Sequence, residues 1–430
     1  MMTDGREKRR ALAGAGMVGV AVAFAMLAAA CAPGGPDTSA EDIWVGTVTS
    51  EGNVTTVVNK SGSVWSGPAT LVEEASIGVE SGDEPYLFGN VVGIGVADER
   101  IFVLDAQVHR VRVYDRDGSH VMDLGGEGDG PGEFRRPTRL AVGQDRVYVR
   151  DPQTGRITVF STAGELVDTW PTEAYFTSTP MVATTSGELY VPYRGGMVRW
   201  GPDGQTDMVV AYPEVQERPP RMMVRVTEAI PGYSRGAMLA REVPFWPLPV
   251  FAMSATGAMI HGVGQPYRFT ISHPNGAVIH VESSAEPVPV VADEAAWYRS
   301  RVAEDLRQAD AGWQWDGPEV PATKPAYNSL VPAVTGEVWV VRPGSGYEDT
   351  SCDVDIPTKD APERCWRDER IVEAFDAAGR FLGSIEVPVE LRFEPRPHVS
   401  SDTIVGLVQD DAGTLLVKRY RLMAPAARGQ

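Results

Sequence analysis

Short runs of alternating apolar and polar residues, rich in Val, Ile, Tyr and Phe, recur along most of this chain and are punctuated by Gly, Asp and Pro. Alternation with period two is the mark of half-buried strands, and the punctuation is that of hairpins. Two of the runs are copies of one another. Residues 100–118 read Arg-Ile-Phe-Val-Leu-Asp-Ala-Gln-Val-His-Arg-Val-Arg-Val-Tyr-Asp-Arg-Asp-Gly, and residues 146–164 read Arg-Val-Tyr-Val-Arg-Asp-Pro-Gln-Thr-Gly-Arg-Ile-Thr-Val-Phe-Ser-Thr-Ala-Gly. At a single offset of 46, with no gap, Phe102 aligns with Tyr148, Asp105 with Asp151, Arg110 with Arg156, Tyr114 with Phe160 and Gly118 with Gly164.

Fainter copies follow at 186–193 with 197–204, 256–262 with 267–276, 335–342 with 370–379, and 402–408 with 414–421. A repeat of about 40–46 residues with four strand-like runs is the length of one propeller blade. The pattern therefore predicts an all-β chain, a six-bladed β-propeller of four-stranded antiparallel blades. The sixth copy lacks its last strand. A lone strand at 53–59 is expected to supply it, closing the ring and covering the open sheet edges. Insertions are expected near 213–245, 285–326 and 343–369. In the first, residues 222–227 read as part of a strand pair extending a blade. Within the second, residues 293–311 lack Pro and Gly and predict one amphipathic helix, with Asp293 as its N-cap and Glu294 in the first turn.

Composition narrows the partners. The chain has 430 residues, 39 Lys and Arg against 58 Asp and Glu, and a formal net charge of −19. Residues 1–30 contribute Arg6, Lys8, Arg9 and Arg10 against Asp4 and Glu7, so the remainder is more acidic still. Such a surface repels phosphate backbones, which excludes nucleic acid as an expected partner and leaves a protein, peptide or carbohydrate ligand.

The N-terminus combines the basic stretch 6–10, a run without charge at 11–30, and Ala28-Ala29-Ala30-Cys31 followed by a Pro, Gly and Ser spacer. This resembles a bacterial lipoprotein signal. The resemblance implies cleavage after residue 30, a lipid on Cys31, a flexible tether at 31–45 and a propeller at 46–425 held to the cell envelope. An ordinary secretory cleavage site and an uncleaved anchor are the two other readings, and all three export the chain. Besides Cys31 there are only Cys352 and Cys365. In an oxidising compartment they read as a disulfide closing one short loop.

The segment 125–142 reads Gly-Gly-Glu-Gly-Asp-Gly-Pro-Gly-Glu-Phe-Arg-Arg-Pro-Thr-Arg-Leu-Ala-Val. With the Asp-x-x-x-x-Arg units, it is similar to the inter-blade loops of NHL-repeat propellers and of six-bladed bacterial propeller lipoproteins. That resemblance implies the propeller fold and leaves function open, since relatives include scaffolds, binders and some metal-dependent enzymes.

Candidate chemistry is sparse. The Gly-rich loop has no Gly-Lys-Ser/Thr for phosphate and no EF-hand spacing for calcium, and is expected to be a crossover between blades. Each Asp–Arg pair, Asp105 with Arg110 and Asp151 with Arg156, is expected to brace its own hairpin. The six His residues show no metal-ligand spacing, so no cofactor or metal is expected. Arg221, Arg225 and Arg241 stand near Phe245 and Trp246 in the first insertion. A basic, aromatic stretch in so acidic a chain is the expected recognition surface. A binding or scaffold module is thus the leading expectation, and a metal-dependent hydrolase or lyase using the central channel is the alternative.

Overall fold

Each alternating run becomes a strand, and six antiparallel four-stranded units, the blades, follow one another along the chain, the last two joined by a short parallel pairing at Ile385–Glu386 with Ala69–Thr70. The computed structural model describes residues 43–173, 179–213, 219–349 and 365–426, all within the unit Glu41–Gln430. Blade 1 comprises Val91–Ala97, Arg100–Asp105, Arg110–Asp115 and His120–Gly125. Blade 2 comprises Arg139–Val142, Arg146–Asp151, Arg156–Ser161 and Leu166–Pro171, and blade 3 Val182–Ala183, Leu189–Tyr193, Gly196–Trp200 and Thr206–Ala211. Blade 4 is Val250–Met253, Met259–Gly262, Arg268–Ser272 and Val278–Ser283, and blade 5 is Ser329–Pro332, Val338–Asp349, Cys365–Phe375 and Phe381–Glu386. Blade 6 takes His398–Val399, Thr403–Gln409 and Leu415–Met423 from the C-terminal end. The fold is a six-bladed β-propeller. Between blades 1 and 2, Phe102, Leu104, Val111, Val113, Val147, Val149 and Phe160 are buried together, so the matched positions of the repeat are the positions that pack.

The ring closes through an N-terminal strand, although not the one expected. Ala69–Ile77 is the fourth strand of blade 6, antiparallel to Leu415–Met423. Ala69 and Ile77 are buried at its two ends. Between them Glu73 faces Lys418 at 2.9 Å, and Glu74 meets both Arg419 and Arg421. The segment at 53–59 is a strand, Val54–Ser61, but it pairs in parallel with Val278–Ser283 and carries Val45–Glu51 on its outer edge, making blade 4 six-stranded. Asn59 fixes this placement. Its amide nitrogen donates to the carbonyls of Glu282 and Gly379, each at 3.0 Å, and its oxygen accepts from Phe381 N and Trp44 Nε1, each at 2.8 Å. A buried side chain with all these groups satisfied specifies its location strongly.

The repeated Asp and Arg act differently from expectation. Asp105 and Arg110, and likewise Asp151 and Arg156, are register partners across the hairpin. Their charged groups point elsewhere. The Asp105 carboxylate accepts from the amides of Gly89, Asn90 and Gln107, and that of Asp151 from Arg135, Arg136, Gln153 and Thr154. Each carboxylate therefore fastens the linker entering its blade to the hairpin of that blade. Arg110 pairs with Asp123 at 3.0 Å, and Arg156 donates to the carbonyls of Asp129, Gly130 and Glu133.

The insertions also differ in detail. Arg221–Arg225 and Met238–Glu242 form a separate two-stranded sheet rather than extending a blade. The helix α1 runs over Ala292–Arg307 with Val291 at its N-cap, two residues before the expected Asp293, and Glu294 Oε2 accepts from Val291 N at 3.4 Å. In blade 5 the paired strands extend to Asp349 and Cys365, shortening the expected loop, whose tip lies outside the described residues.

Two truncations separate the closing strand from the outer hairpin. Removing residues 1–62 is expected to leave a ring that unfolds in one cooperative transition at lower denaturant. Removing residues 1–80 should abolish that transition and expose the edge of blade 6 to aggregation, read by urea denaturation and light scattering.

Candidate functional site

In a four-stranded antiparallel blade that begins at the centre, two kinds of connection share one face of the ring. They are the turn from second to third strand and the crossover from fourth strand to the next blade. All three insertions are of these kinds. The segments between blades 3 and 4 and between blades 4 and 5 are crossovers, and the long hairpin of blade 5 joins its second and third strands. They meet as a cap on that face. Met222, Val224, Val226, Leu239 and Val243 from the hairpin bury against Ala303 and Leu306 of α1 and against Ala309 and Trp313 just beyond it. Arg241 Nε donates to Asp305 at 2.8 Å and ties hairpin to helix.

Three ionisable groups sit where the cap meets blade 5. Lys324 and Glu294 have fully buried side chains, and Lys324 Nζ lies 2.6 Å from Glu294 Oε1 and 2.6 Å from Asp368 Oδ1. It also donates to Gly344 O at 3.0 Å. The approach to Glu294 is off a hydrogen-bonding direction, and Oε1 accepts no hydrogen bond. Burial raises the Glu294 carboxyl above the usual range, Lys324 opposes that shift, and Asp368 adds to it. Gly346 lets this happen, because a Cβ there would fall 2.4 Å from Glu294 Oε1.

Beside this network a cleft of about 300 Å³ opens between cap and propeller, with Phe245, Trp246, Tyr298, Tyr327 and Asp368 in its walls. Phe245 sits at φ 59°, a left-handed conformation that is rare for a bulky residue and persists only where the surroundings hold it. Here its ring meets Tyr298 edge-on at 4.8 Å and lies 5.4 Å from Lys324 Nζ. Burial pushes the Tyr298 phenol up to about 12, with the charges of Asp368 and Glu294 adding to the shift.

Of the residues expected to form a recognition surface, the structure brings Phe245 and Trp246 together in the cleft and not the arginines. Arg221 pairs with Glu242 at 3.0 Å across the hairpin, Arg241 is the tie to α1, and Arg225 is exposed at the hairpin's end. Tyr298, Lys324, Tyr327 and Asp368 carried no local signal, since they come from segments far apart in sequence. Cys31 and Cys352 lie outside the described residues. Cys365 is at the start of the third strand of blade 5, with Sγ 3.7 Å from Asp349 O.

The Gly-rich loop is the crossover from blade 1 to blade 2, tied to blade 2 by Arg156 and Asp151. Gly130 N donates to Glu133 Oε2 at 2.7 Å, and Arg135 Nε donates to Asp129 Oδ1 at 2.9 Å. Gly125 adopts φ 85° against the Phe134 ring, where a Cβ would fall 2.1 Å away. Its carboxylates are thus occupied within the loop.

The central channel is the second concavity, about 130 Å³, lined by residues of all six blades. Most of its wall is apolar, with Val92, Ile94, Leu140, Val142 and Met181 among the lining side chains. Arg139, Glu394, Arg396 and His398 also face it. Among the described residues, no group of three His, Cys, Asp or Glu is placed to hold a metal ion. His398 falls at the innermost strand of blade 6, and His261 lies on the second strand of blade 4.

The family comparison agrees with this architecture. A family model described as a 6-bladed beta-propeller matches residues 71–195. The chain is a six-bladed β-propeller. A member of the duf4221 family from Bacteroides vulgatus is similar at 9% identity and a TM-score of 0.45, over 83% of this chain and 99% of that one. The catalytically inactive virginiamycin B lyase from Staphylococcus aureus, solved with quinupristin, is similar at 10% identity and a TM-score of 0.39, over 81% of this chain and 98% of that one. No curated protein matches.

Two outcomes follow from the buried charges. Lys324→Met, which leaves carboxylates without their buried cation, is expected to cost about 3–5 kcal/mol of stability in urea unfolding. Burial pushes the His398 imidazole down from its usual value of 6.5 to about 4. The unfolded chain therefore takes up a proton before the folded one does, so the stability due to neutral His398 is full above about pH 6.5 and lost as pH falls to about 4. Stability curves across that window should flatten in His398→Gln.

Proposed function

We propose that this protein is an exported binding module of the cell envelope, with its ligand seated in the cleft between cap and propeller. The observation that carries the reading is the cleft itself: four aromatic side chains and the Asp368 carboxylate around about 300 Å³. That volume is at the lower end of small-ligand sites, suited to one sugar ring or one large peptide side chain. Aromatic faces supply contact area at low entropic cost, and a carboxylate selects a hydroxyl or cationic donor on the ligand. The strained backbone at Phe245 supports the same place, since such conformations cluster where a side chain must be presented.

Export is supported by the basic stretch at 6–10, the uncharged run at 11–30 and the small residues before Cys31. In this reading Cys31 carries the lipid, and a Cys352–Cys365 disulfide closes the tip of the long hairpin of blade 5. The acidic surface argues for a partner that is not a nucleic acid.

Titrating the protein with envelope oligosaccharides and short peptides, followed by tryptophan fluorescence, tests the site. Trp246→Ala and Asp368→Asn are each expected to weaken the selected ligand about tenfold or more. Affinity unchanged in both variants would place the ligand elsewhere.

A further inference from the structure

The channel holds a charge that the rest of the fold does not answer. Elsewhere the buried cations have partners. Arg112 donates to Glu84 and to the carbonyls of Glu84 and Leu87, Arg342 pairs with Glu373 at 2.7 Å, and Lys324 has its two carboxylates. Arg396 lines the lumen, yet among the described residues it donates no hydrogen bond and forms no ion pair. Arg396 also lines a small side pocket with Thr179 and Pro180, which lead into blade 3, with Val182 of blade 3 and with Phe251 to Met253 of blade 4. Arg396 is half-buried, and its five N–H donors, with no acceptor from the described residues, are left facing the lumen for a bound group to use.

The surroundings are arranged for an anion. His398 follows Arg396 by two positions, the spacing that puts both side chains on the same side of an extended chain, and both line the lumen. Arg139 enters from blade 2, with Nη1 on Thr138 O at 2.6 Å and Nε on Thr179 O at 3.3 Å. Glu394 is the one acidic side chain among the lining residues, and it is exposed and forms no ion pair with Arg396. The Arg396 guanidinium and a neutral imidazole thus face one carboxylate, with the bonded Arg139 guanidinium adding its positive field. The remaining wall is apolar, which strengthens any charge-assisted bond made inside it.

We propose that the central channel is a binding site for one small oxyanion, a carboxylate, sulfate or phosphate group, held by Arg396 with Arg139 and His398 around it. A lumen of about 130 Å³ accommodates one such group with a few waters. Burial holds the Arg396 guanidinium down to about 10, so it stays charged at neutral pH. The acidic exterior repels anions at long range, so selection rests on the local geometry.

The test uses the full chain at constant ionic strength, replacing sodium chloride stepwise by sodium sulfate, phosphate or acetate, read by calorimetric titration and thermal unfolding. At least one of the three is expected to bind with one-to-one stoichiometry and raise the midpoint. Arg396→Gln should weaken that binding about tenfold or more, the loss expected for one charged hydrogen-bond donor. The same variant should unfold at a higher temperature than the parent when only chloride is present, because an unanswered charge has been removed. Glu394→Gln should tighten binding, and it keeps the proposal testable if Arg396→Gln does not fold. No binding by any of the three anions, equal binding by Arg396→Gln, or weaker binding by Glu394→Gln would overturn the proposal.

Discussion

Every blade but the last is complete within a continuous stretch of chain, so the ring depends on one pairing between distant segments, Ala69–Ile77 with Leu415–Met423. Without it blade 6 would present an open edge, and its contact with blade 1 would rest on three strands. The pairing is electrostatic as well as hydrogen-bonded. Glu73 and Glu74 stand against Lys418, Arg419 and Arg421, so the two segments carry opposite charge. Opposite charges across a ladder add a few tenths to about one kcal/mol per pair, and like charges in the same places would oppose closure. The register is thereby fixed by charge where the alternation of apolar residues is broken.

A closed ring gives a rigid rim on which irregular segments can be built, and this chain has built on one side of it. The cap borrows two crossovers and one hairpin, all on the same face, and shares a small hydrophobic core of its own. Its attachment to blade 5 is polar and buried, through Lys324, Glu294 and Asp368. Such networks contribute more to specificity of docking than to stability, because most of the Coulomb gain offsets desolvation. The cap is therefore held in one orientation, and the aromatic cleft beside the network keeps a fixed shape.

The legibility of the sequence follows the physics of each element. Blades 1 and 2 are copies because the same job, capping linker amides with a buried Asp, recurs at Asp105 and Asp151. Blade 3 turns through Tyr193-Arg-Gly-Gly196 in place of that unit, and its innermost strand is only Val182–Ala183, so its copy is faint. The closing strand escaped notice because a bulge opposite Arg419 and Tyr420 disturbs the period-two pattern at Glu73-Glu74. Val54–Ser61 was visible as a strand, but its partner is chosen by the Asn59 amide, which no hydrophobic pattern encodes. Phe245 and Trp246 were legible as unusual residues. The cleft they line was not, since its other walls come from α1, the approach to blade 5 and its long hairpin.

The Asn59 junction has a mechanical consequence. Tension applied to the chain ahead of Val45 meets the outer hairpin first, at the pairs Val45–Ser61 and Gly46–Asn59. There it loads the ladder one pair at a time, as in unzipping, and the bonds give way sequentially at low force. To go further it must strip Val54–Ser61 from Val278–Ser283 and break the Asn59 bonds to Glu282, Gly379 and Phe381. Only then does load reach Ala69–Ile77. The hairpin works as a fuse, a sacrificial length of strand that yields and can re-form while the ring stays shut.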